Sequence, residues 1–237
     1  MKALILASGL GMRLNSLTDV TPKCLIKITD KTILDFQLEA LYENGITDII
    51  ITTGHLENKI SDFIKKYERK LNITLIHNEV YDKTNYIYSM FKAKDELDDE
   101  VILIHGDLVF DQHVLKTLLD SPYKNSVIIE KGNQPKSDFK GALENDKIKK
   151  ISVNIFEKNC HFLAPLYKFS REDFSKWLNK IEEYVNKNQV TCYAENALNE
   201  MLGSKVELHA VYLKNLLCME VDDADDLEAV RSRLLKT

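Results

Sequence analysis

The chain has 237 residues, a hydrophobic share of 44% and a net charge of −5. That length and apolar content suit one sizeable α/β domain with a real core. The acidic balance gives no electrostatic footing for non-specific nucleic-acid binding, and no apolar run approaches the roughly 20 residues needed to span a bilayer.

Apolar runs and turn residues set out the elements in chain order. Ala3–Ala7 is predicted as a buried first strand running directly into Ser8-Gly9, too short for a signal peptide. A helix over Leu34–Tyr42 follows from Leu34, Leu38 and Leu41 at helical spacing, with Asn44-Gly45 as its stop. A second strand at Asp48–Thr53, a helix over Glu57–Tyr67 and a third strand at Ile73–Ile76 continue the alternation. Ile87–Lys94 reads as a short helix, and Val101–Ile104 as a buried strand ending at His105-Gly106-Asp107. This alternation implies a parallel, doubly wound sheet in the first half. Ser126–Glu130, Gly141–Leu143 and Ile148–Val153 then read as strands of a hairpin-like insert turning at Asn145-Asp146. Cys160–Phe169 returns to the central sheet. Ser170 caps a helix over Arg171–Tyr184 whose Phe174, Trp177, Leu178 and Ile181 share one face, so the single tryptophan belongs to the core. Val206–Val211 and Met219–Val221 are further strands, and Asp225–Leu235 closes the chain as a helix.

With 8 glycines, 4 prolines and no repeat or linker composition, residues 1–237 are expected to form a single domain. Cys24, Cys160, Cys192 and Cys218 are scattered without a CxxC pair. This argues against zinc or a disulfide framework and fits a cytoplasmic location.

Ser8-Gly9-Leu10-Gly11-Met12-Arg13-Leu14 follows the first strand. Glycines there let backbone N–H groups face a bound phosphate, and Arg13 adds a cation suited to paired hydrogen bonds with a polyphosphate. Thr21-Pro22-Lys23 brings a second cation into the same region. A dinucleotide fingerprint would need a third glycine where Leu14 stands and an acidic residue about 20 positions on, whereas Thr29-Asp30-Lys31 reads as a turn before a helix. A Walker loop would need Gly-Lys-Ser/Thr, which is absent. On the loop alone, a purely structural glycine turn stays open.

Leu6-Ala7-Ser8-Gly9-Leu10-Gly11-Met12-Arg13-Leu14, Leu17-Thr18 and Thr21-Pro22-Lys23-Cys24-Leu25 together resemble the signature of sugar-nucleotidyltransferase-like enzymes. That signature is (A/S)GxGxRL, a short spacer, then PKxL. Ser16 and Thr32 stand where the family often has proline. Gly106-Asp107 resembles the family's metal-binding aspartate, and Glu220-Val221-Asp222 the strand-end carboxylate that completes the metal site. Asn78, Tyr81 and Asn85-Tyr86-Ile87-Tyr88-Ser89-Met90 resemble the Asn…Tyr…Asn-x-x-Tyr-Ser stretch of CTP:phosphocholine cytidylyltransferases, where sugar-phosphate members carry a Gly-Thr-Ala segment. The CTP:phosphoglutamine cytidylyltransferases of capsular phosphoramidate synthesis fit the same outline.

The resemblance implies an α/β, Rossmann-like nucleotidyltransferase fold: a mixed, mostly parallel central sheet flanked by helices, with a small β insert. Residues up to about 125 would form a nucleotide-binding half and the remainder an acceptor-binding half. The implied reaction is in-line attack of an acceptor phosphate oxygen on the α-phosphorus of CTP, with pyrophosphate leaving, in surface-polysaccharide modification. Both reactants are anions, so charge neutralisation and alignment should dominate catalysis. Asp107 and Asp222 are the expected ligands of Mg²⁺, with Mn²⁺ as a substitute. Arg13 is the expected catalytic cation along the triphosphate and Lys23 the one at the α-phosphate. Leu6, Ala7, Gly9, Gly11, Met12, Asn78, Asn85, Ser89 and Gly106 are the expected nucleotide contacts, with Asn85 and Ser89 reading the cytosine edge. Each has a plainer reading: Asp107 as a loop cap, Asp222 as one of several aspartates at the last helix's N-terminus, Lys23 as a surface lysine, Asn85 as a helix cap and Ser89 as a small packing residue.

A quaternary ammonium is best held by an aromatic cage. Tyr193-Ala194-Glu195-Asn196 resembles the Tyr-Trp-Asp-Asn of the phosphocholine enzymes, with Ala194 in place of the aromatic. The cage therefore looks depleted, and an amino-acid-like acceptor such as L-glutamine phosphate gains ground over phosphocholine. Tyr193, Glu195 and Asn196 are the expected acceptor contacts, Glu195 and Asn196 for an ammonium or amide. Lys131 is preferred to Lys140 for the acceptor phosphate, and His105 is expected to be structural. Rival readings are a sugar-1-phosphate nucleotidyltransferase using UTP, dTTP or GTP, and a noncatalytic nucleotide-binding regulator, against which intact Arg13, Lys23, Asp107 and Asp222 argue. An NAD-dependent oxidoreductase lacks its third glycine. No nucleic-acid or membrane partner is expected.

Overall fold

The computed structural model describes residues 1–14, 16–132 and 136–235. The first half forms β1 (Lys2–Leu6), α1 (Ser16–Asp19), α2 (Ile33–Glu43), β2 (Asp48–Thr53), α3 (Glu57–Ile64), β3 (Asn72–His77), α4 (Tyr86–Lys92), β4 (Val101–His105), β5 (Leu108–Phe110) and α5 (Gln112–Leu119). The second half adds β6 (Ser126–Glu130), β7 (Lys140–Glu144), β8 (Lys147–Ser152), β9 (Cys160–Phe169), α6 (Arg171–Asn186), α7 (Ala194–Asn199), β10 (His209–Tyr212), β11 (Cys218–Glu220) and α8 (Ala224–Leu234). No described helix is long and apolar enough to cross a membrane.

Nine strands share one sheet in the order β3-β2-β1-β4-β9-β6-β10-β8-β7. β1 lies between β2 and β4 in parallel register, whereas β9 runs antiparallel to both β4 and β6. Side chains alternate across this sheet as the strand period requires. Ala3 and Ile5 point to one face, where α2, α3 and α5 supply Leu38, Ile60 and Leu115. Leu4 and Leu6 point to the other, against Met90 of α4, Phe174, Trp177 and Ile181 of α6, and Leu198 of α7. Trp177 is fully buried, as its place on the apolar face predicts. A third cluster joins Leu227 and Val230 of α8 to Ile26, Ile28 and Val109.

Several expectations change. Ser126–Glu130 is not part of an insert: β6 pairs with β9 and β10 within the main sheet. The hairpin itself is present, with Asn145 and Asp146 both at positive φ as a two-residue turn demands. However, β7 also pairs with β9, and β8 with β10, so the hairpin extends the sheet. Helix α3 stops at Ile64, and residues 65–67 form a tighter 3₁₀ turn. The predicted strand at Val206–Val211 narrows to His209–Tyr212. β5, α5 and α7 were not anticipated. Thr32, at a position where the family often has proline, caps α2: its hydroxyl accepts from Asp35 N at 3.1 Å, and Asp35 Oδ2 accepts from Thr32 N at 2.8 Å.

Candidate active site

The strand order reverses at β1, so the carboxyl ends of β1, β2 and β4 open onto a crevice where ligands of open α/β sheets bind. It holds a cavity of about 440 Å³. At its floor Gly106 N donates to Leu6 O at 2.9 Å. A Cβ at residue 106 would stand 2.5 Å from that oxygen, so glycine is required where β4 bends away. The amide of Gln37, on α2, pins the bend by donating to His105 O at 2.9 Å and Leu108 O at 2.8 Å.

Beyond the bend, β5 pairs antiparallel with β11, with Leu108 opposite Glu220, and Val221 N donates to Asp107 O at 3.0 Å. This two-stranded ribbon brings Asp107, Glu220 and Asp222 into the same cavity. Lys23 enters from the loop before α2. Its Nζ lies 2.7 Å from Asp107 Oδ2 and 2.7 Å from Asp222 Oδ1. Arg13 Nη2 lies 2.8 Å from Asp222 Oδ2. In the loop that carries Arg13, Gly11 has φ +66°, and its carbonyl accepts from Leu14 N at 3.0 Å and from Thr18 Oγ1 at 3.0 Å. The two predicted cations and the two predicted carboxylates thus form one array.

The surroundings tune these charges. Burial alone would lower the Lys23 ammonium, but Asp107 and Asp222 raise it above the ordinary lysine value. Burial alone would raise the Asp107 carboxyl, but Lys23 and His105 hold it below the usual carboxylate range. Glu220 moves the other way: burial pushes it well up, and the charges of Asp107, Asp138 and Asp222 push it further. Among the described residues, Asp107 Oδ1, Glu220 Oε2 and His105 Nε2 are buried without hydrogen-bond partners. Candidate ligand atoms of these three residues all lie within 4.8 Å of one another. Buried polar atoms without partners are costly, and His105, Asp107 and Glu220 form a group able to hold a metal ion. Glu220 and His105 were not among the expected ligands. Both oxygens of Asp222, an expected ligand, are engaged by Lys23 and Arg13.

Leu6, Ala7, Gly9, Gly11, Met12, Asn85, Gly106 and Tyr193 also line the cavity. Asn78 and Ser89 do not. They form a buried network in which Asn78 Nδ2 donates to Ser89 Oγ at 3.0 Å and to Thr84 Oγ1 at 3.1 Å, while Ser89 Oγ meets Ser8 Oγ at 2.8 Å. These groups brace the glycine loop from below rather than present polar atoms to the cavity. Asn85 caps α4, its side chain accepting from Tyr86 N at 2.7 Å.

Next to this array, and sharing His105 with the metal-holding group, four rings form a closed circuit. Tyr86 and His105 are edge-on with centroids 4.7 Å apart, and His105 and Phe139 are 6.1 Å apart. Phe139 and Tyr193 are 5.1 Å apart, and Tyr193 and Tyr86 6.0 Å. Tyr86, His105 and Phe139 thus set three rings beside Tyr193, drawn from outside the Tyr193-Ala194-Glu195-Asn196 stretch. Glu195 and Asn196 do not line the cavity. Glu195 is buried behind the ring circuit, and Asn196 is exposed on the far side of α7, because consecutive helical residues point in different directions. Lys131 is also outside the cavity, with Nζ 3.9 Å above the Tyr212 ring. Lys140 is fully buried, donating to Asp138 O at 2.9 Å.

A strand-end crevice with a glycine loop, two cations and strand-end carboxylates suits the handling of a polyphosphate and a metal ion. The chain belongs to the nucleotidyl transferase family, whose pattern matches residues 2–158. It is similar to a CTP:phosphoglutamine cytidylyltransferase of Campylobacter jejuni, 27% identical over 252 residues covering 96% of this chain and 98% of that one. It also resembles a choline-phosphate cytidylyltransferase of Streptococcus pneumoniae, 37% identical over 123 residues covering 52% of each chain. Among solved structures, the CTP:phosphocholine cytidylyltransferase of Streptococcus pneumoniae superposes with a TM-score of 0.83 at 23% identity, covering 98% of both chains, and so shares the fold.

Proposed function

We propose that this chain transfers CMP from CTP to a small phosphorylated non-sugar acceptor, with release of pyrophosphate. L-Glutamine phosphate and phosphocholine-like compounds are the candidate acceptors, and surface-polysaccharide modification the setting. The observation that carries this reading is the cavity itself, lined by the Arg13–Asp222–Lys23–Asp107 array and, beside it, by four aromatic rings. The cytidylyltransferase names of the similar proteins supply the nucleotide and the type of acceptor.

The residues divide the work by position. Backbone N–H groups of the glycine loop and the Arg13 guanidinium bind the β- and γ-phosphates, which leave as pyrophosphate. Lys23, already in hydrogen-bond contact with two carboxylates, moves its ammonium onto the α-phosphate and stabilises charge as the acceptor oxygen attacks. An acceptor phosphate is largely ionised at neutral pH, its second pKa being about 6, so no general base is required. Two carboxylates beside an imidazole suit Mg²⁺ or Mn²⁺. Asp107 and Glu220 would hold the ion, with His105 and Asp222 beside them. Bound there, it would neutralise phosphate oxygens as a Lewis acid. The aromatic side orients the acceptor and excludes water.

The test is pyrophosphate release with CTP, UTP, dTTP and GTP, each against phosphocholine, phosphoethanolamine, L-glutamine phosphate and sugar 1-phosphates. The reading expects turnover with CTP and a non-sugar acceptor. Turnover confined to another nucleotide with a sugar 1-phosphate would replace it with the sugar-nucleotide reading. Tight CTP binding without pyrophosphate from any acceptor would favour a noncatalytic regulator.

A further inference from the structure

Gln37 is an amide in the interior of α2, 0% exposed and outside the cavity lining. Leu34, Leu38 and Leu41, on the same stretch of helix, pack into the apolar cluster that covers one face of the sheet. A polar group in such a place is costly unless its atoms find partners. Nε2 finds two, donating to His105 O at 2.9 Å and to Leu108 O at 2.8 Å. Carbonyl oxygens only accept, so the NH₂ side of the amide must face them. The other side, Oε1, is buried without a hydrogen-bond partner. Methionine would fill a similar volume without leaving an acceptor unmet, so packing alone does not account for an amide here.

The two carbonyls that Gln37 joins bracket the turn that carries His105 and Asp107. Backbone bonds hold the middle of this turn, from Gly106 N to Leu6 O at 2.9 Å and from Val221 N to Asp107 O at 3.0 Å. Gln37 holds its flanks and ties them to α2. That helix is a firm base, because Asp35 in its first turn accepts from Thr32 N at 2.8 Å and from the Tyr67 hydroxyl at 2.6 Å. Of the three side chains able to hold a metal ion together, His105, Asp107 and Glu220, two therefore stand on a turn gripped by one amide. Groups behind metal ligands fix the direction in which the ligand atoms point, and affinity depends on that direction.

We propose that Gln37 is a positioning residue for the metal-holding group. By fixing both flanks of the turn to α2, it sets the aim of the His105 imidazole and the Asp107 carboxylate without touching ion, nucleotide or acceptor. This rests on the metal-assisted transfer reading above and deepens it. Its signature is a loss of metal affinity that other weakenings of α2 do not share.

The experiment titrates Mn²⁺ into the full chain and follows the free ion by electron paramagnetic resonance, alongside a thermal melt of each variant. Gln37→Met keeps the volume and removes both N–H groups; it should weaken Mn²⁺ binding by at least about tenfold. In the pyrophosphate assay with CTP, the Mg²⁺ concentration for half-maximal rate should rise by a similar factor. Acceptor KM at saturating metal should stay within about twofold of wild type. Thr32→Ala removes the cap of α2 and leaves the turn alone; it should lower the melting temperature with Mn²⁺ affinity unchanged. Wild-type Mn²⁺ affinity in Gln37→Met overturns the inference, and so does an equal loss in Thr32→Ala, which would trace the effect to the helix as a whole. Should Gln37→Met fail to fold, Gln37→Asn keeps the amide on an arm too short to span both carbonyls; unchanged affinity there overturns the inference equally. Absence of Mn²⁺ binding by the wild-type chain also overturns it. Mn²⁺ binding that depends on Gln37, with no pyrophosphate from any acceptor and nucleotide, would instead sink the transfer reading and leave Gln37 its role.

Discussion

The charged side and the ring-lined side of the cavity, which meet at His105, are built on opposite plans. On the charged side, Arg13, Lys23, Asp107 and Asp222 face the cavity and one another, linked by contacts of 2.7–2.8 Å. On the other side aromatic rings line the cavity, and the carboxylate of Glu195 is withdrawn behind them, 1% exposed. Directly opposed charges suit the exchange of a polyphosphate and an ion, whereas a preformed wall of rings suits a small organic head group.

The largest effect should come from removing the cation shared by two carboxylates. Lys23→Ala should lower kcat by about 10²–10³-fold, the scale of losing one preorganised contact to developing charge, while the acceptor KM changes little. Steady-state kinetics with both substrates varied would show this. A loss confined to acceptor KM would mean that Lys23 belongs to the other side and would break the comparison.

Next in size is Glu220→Gln. Glu220 Oε2 is buried without a hydrogen-bond partner, and Glu220, Asp107 and His105 offer ligand atoms within 4.8 Å of one another. Removing one ligand carboxylate should weaken metal affinity by about 10–100-fold. Titration of Mn²⁺ by electron paramagnetic resonance, followed by activity at saturating metal, would separate lost affinity from lost chemistry. Wild-type metal affinity in this variant would remove Glu220 from the ligand set.

These two residues also show what can be read from sequence. Lys23 was legible because a proline, a lysine and the preceding glycine loop form a compact pattern. Glu220 was within reach: Glu220-Val221-Asp222 alternates, and the strand period places positions 220 and 222 on one face. The sheet core was legible for the same reason, since alternation in β1 and helical spacing in α2 and α6 are local properties. The spacing of Val114, Leu115 and Leu118 and the Asp111 cap that accepts from His113 N are equally local marks of α5. The ring circuit is a different case. Its members come from α4, the end of β4, the segment before β7 and the start of α7, and two of them precede residue 126. No spacing rule relates positions 86, 105, 139 and 193, so only the folded chain reveals that rings from both halves meet.

A third prediction sharpens the ring-lined side. Tyr193→Ala removes one wall, where Tyr193 closes the circuit with Phe139 and Tyr86. Acceptor KM should rise by about tenfold, consistent with one aromatic contact to a desolvated head group, with the KM for CTP unchanged. A matching rise for CTP would show that the two sides are not separable.

The smallest effect is expected at Lys131, and its smallness matters. Charge alone recommends this residue for the acceptor phosphate, yet its Nζ lies over the Tyr212 ring, and the side chain is exposed outside the cavity. An exposed cation–π contact contributes roughly 0.5–1 kcal/mol, so Lys131→Ala should cost at most about that in stability and change acceptor KM by less than about twofold. Acceptor titration and thermal melts of this one variant test both numbers. If acceptor KM instead rose by an order of magnitude, the acceptor phosphate would have to reach the outer part of the sheet. The division into a charged side and a ring-lined side would then give way to two separate charged sides. Near-wild-type kinetics would place Lys131 outside acceptor binding.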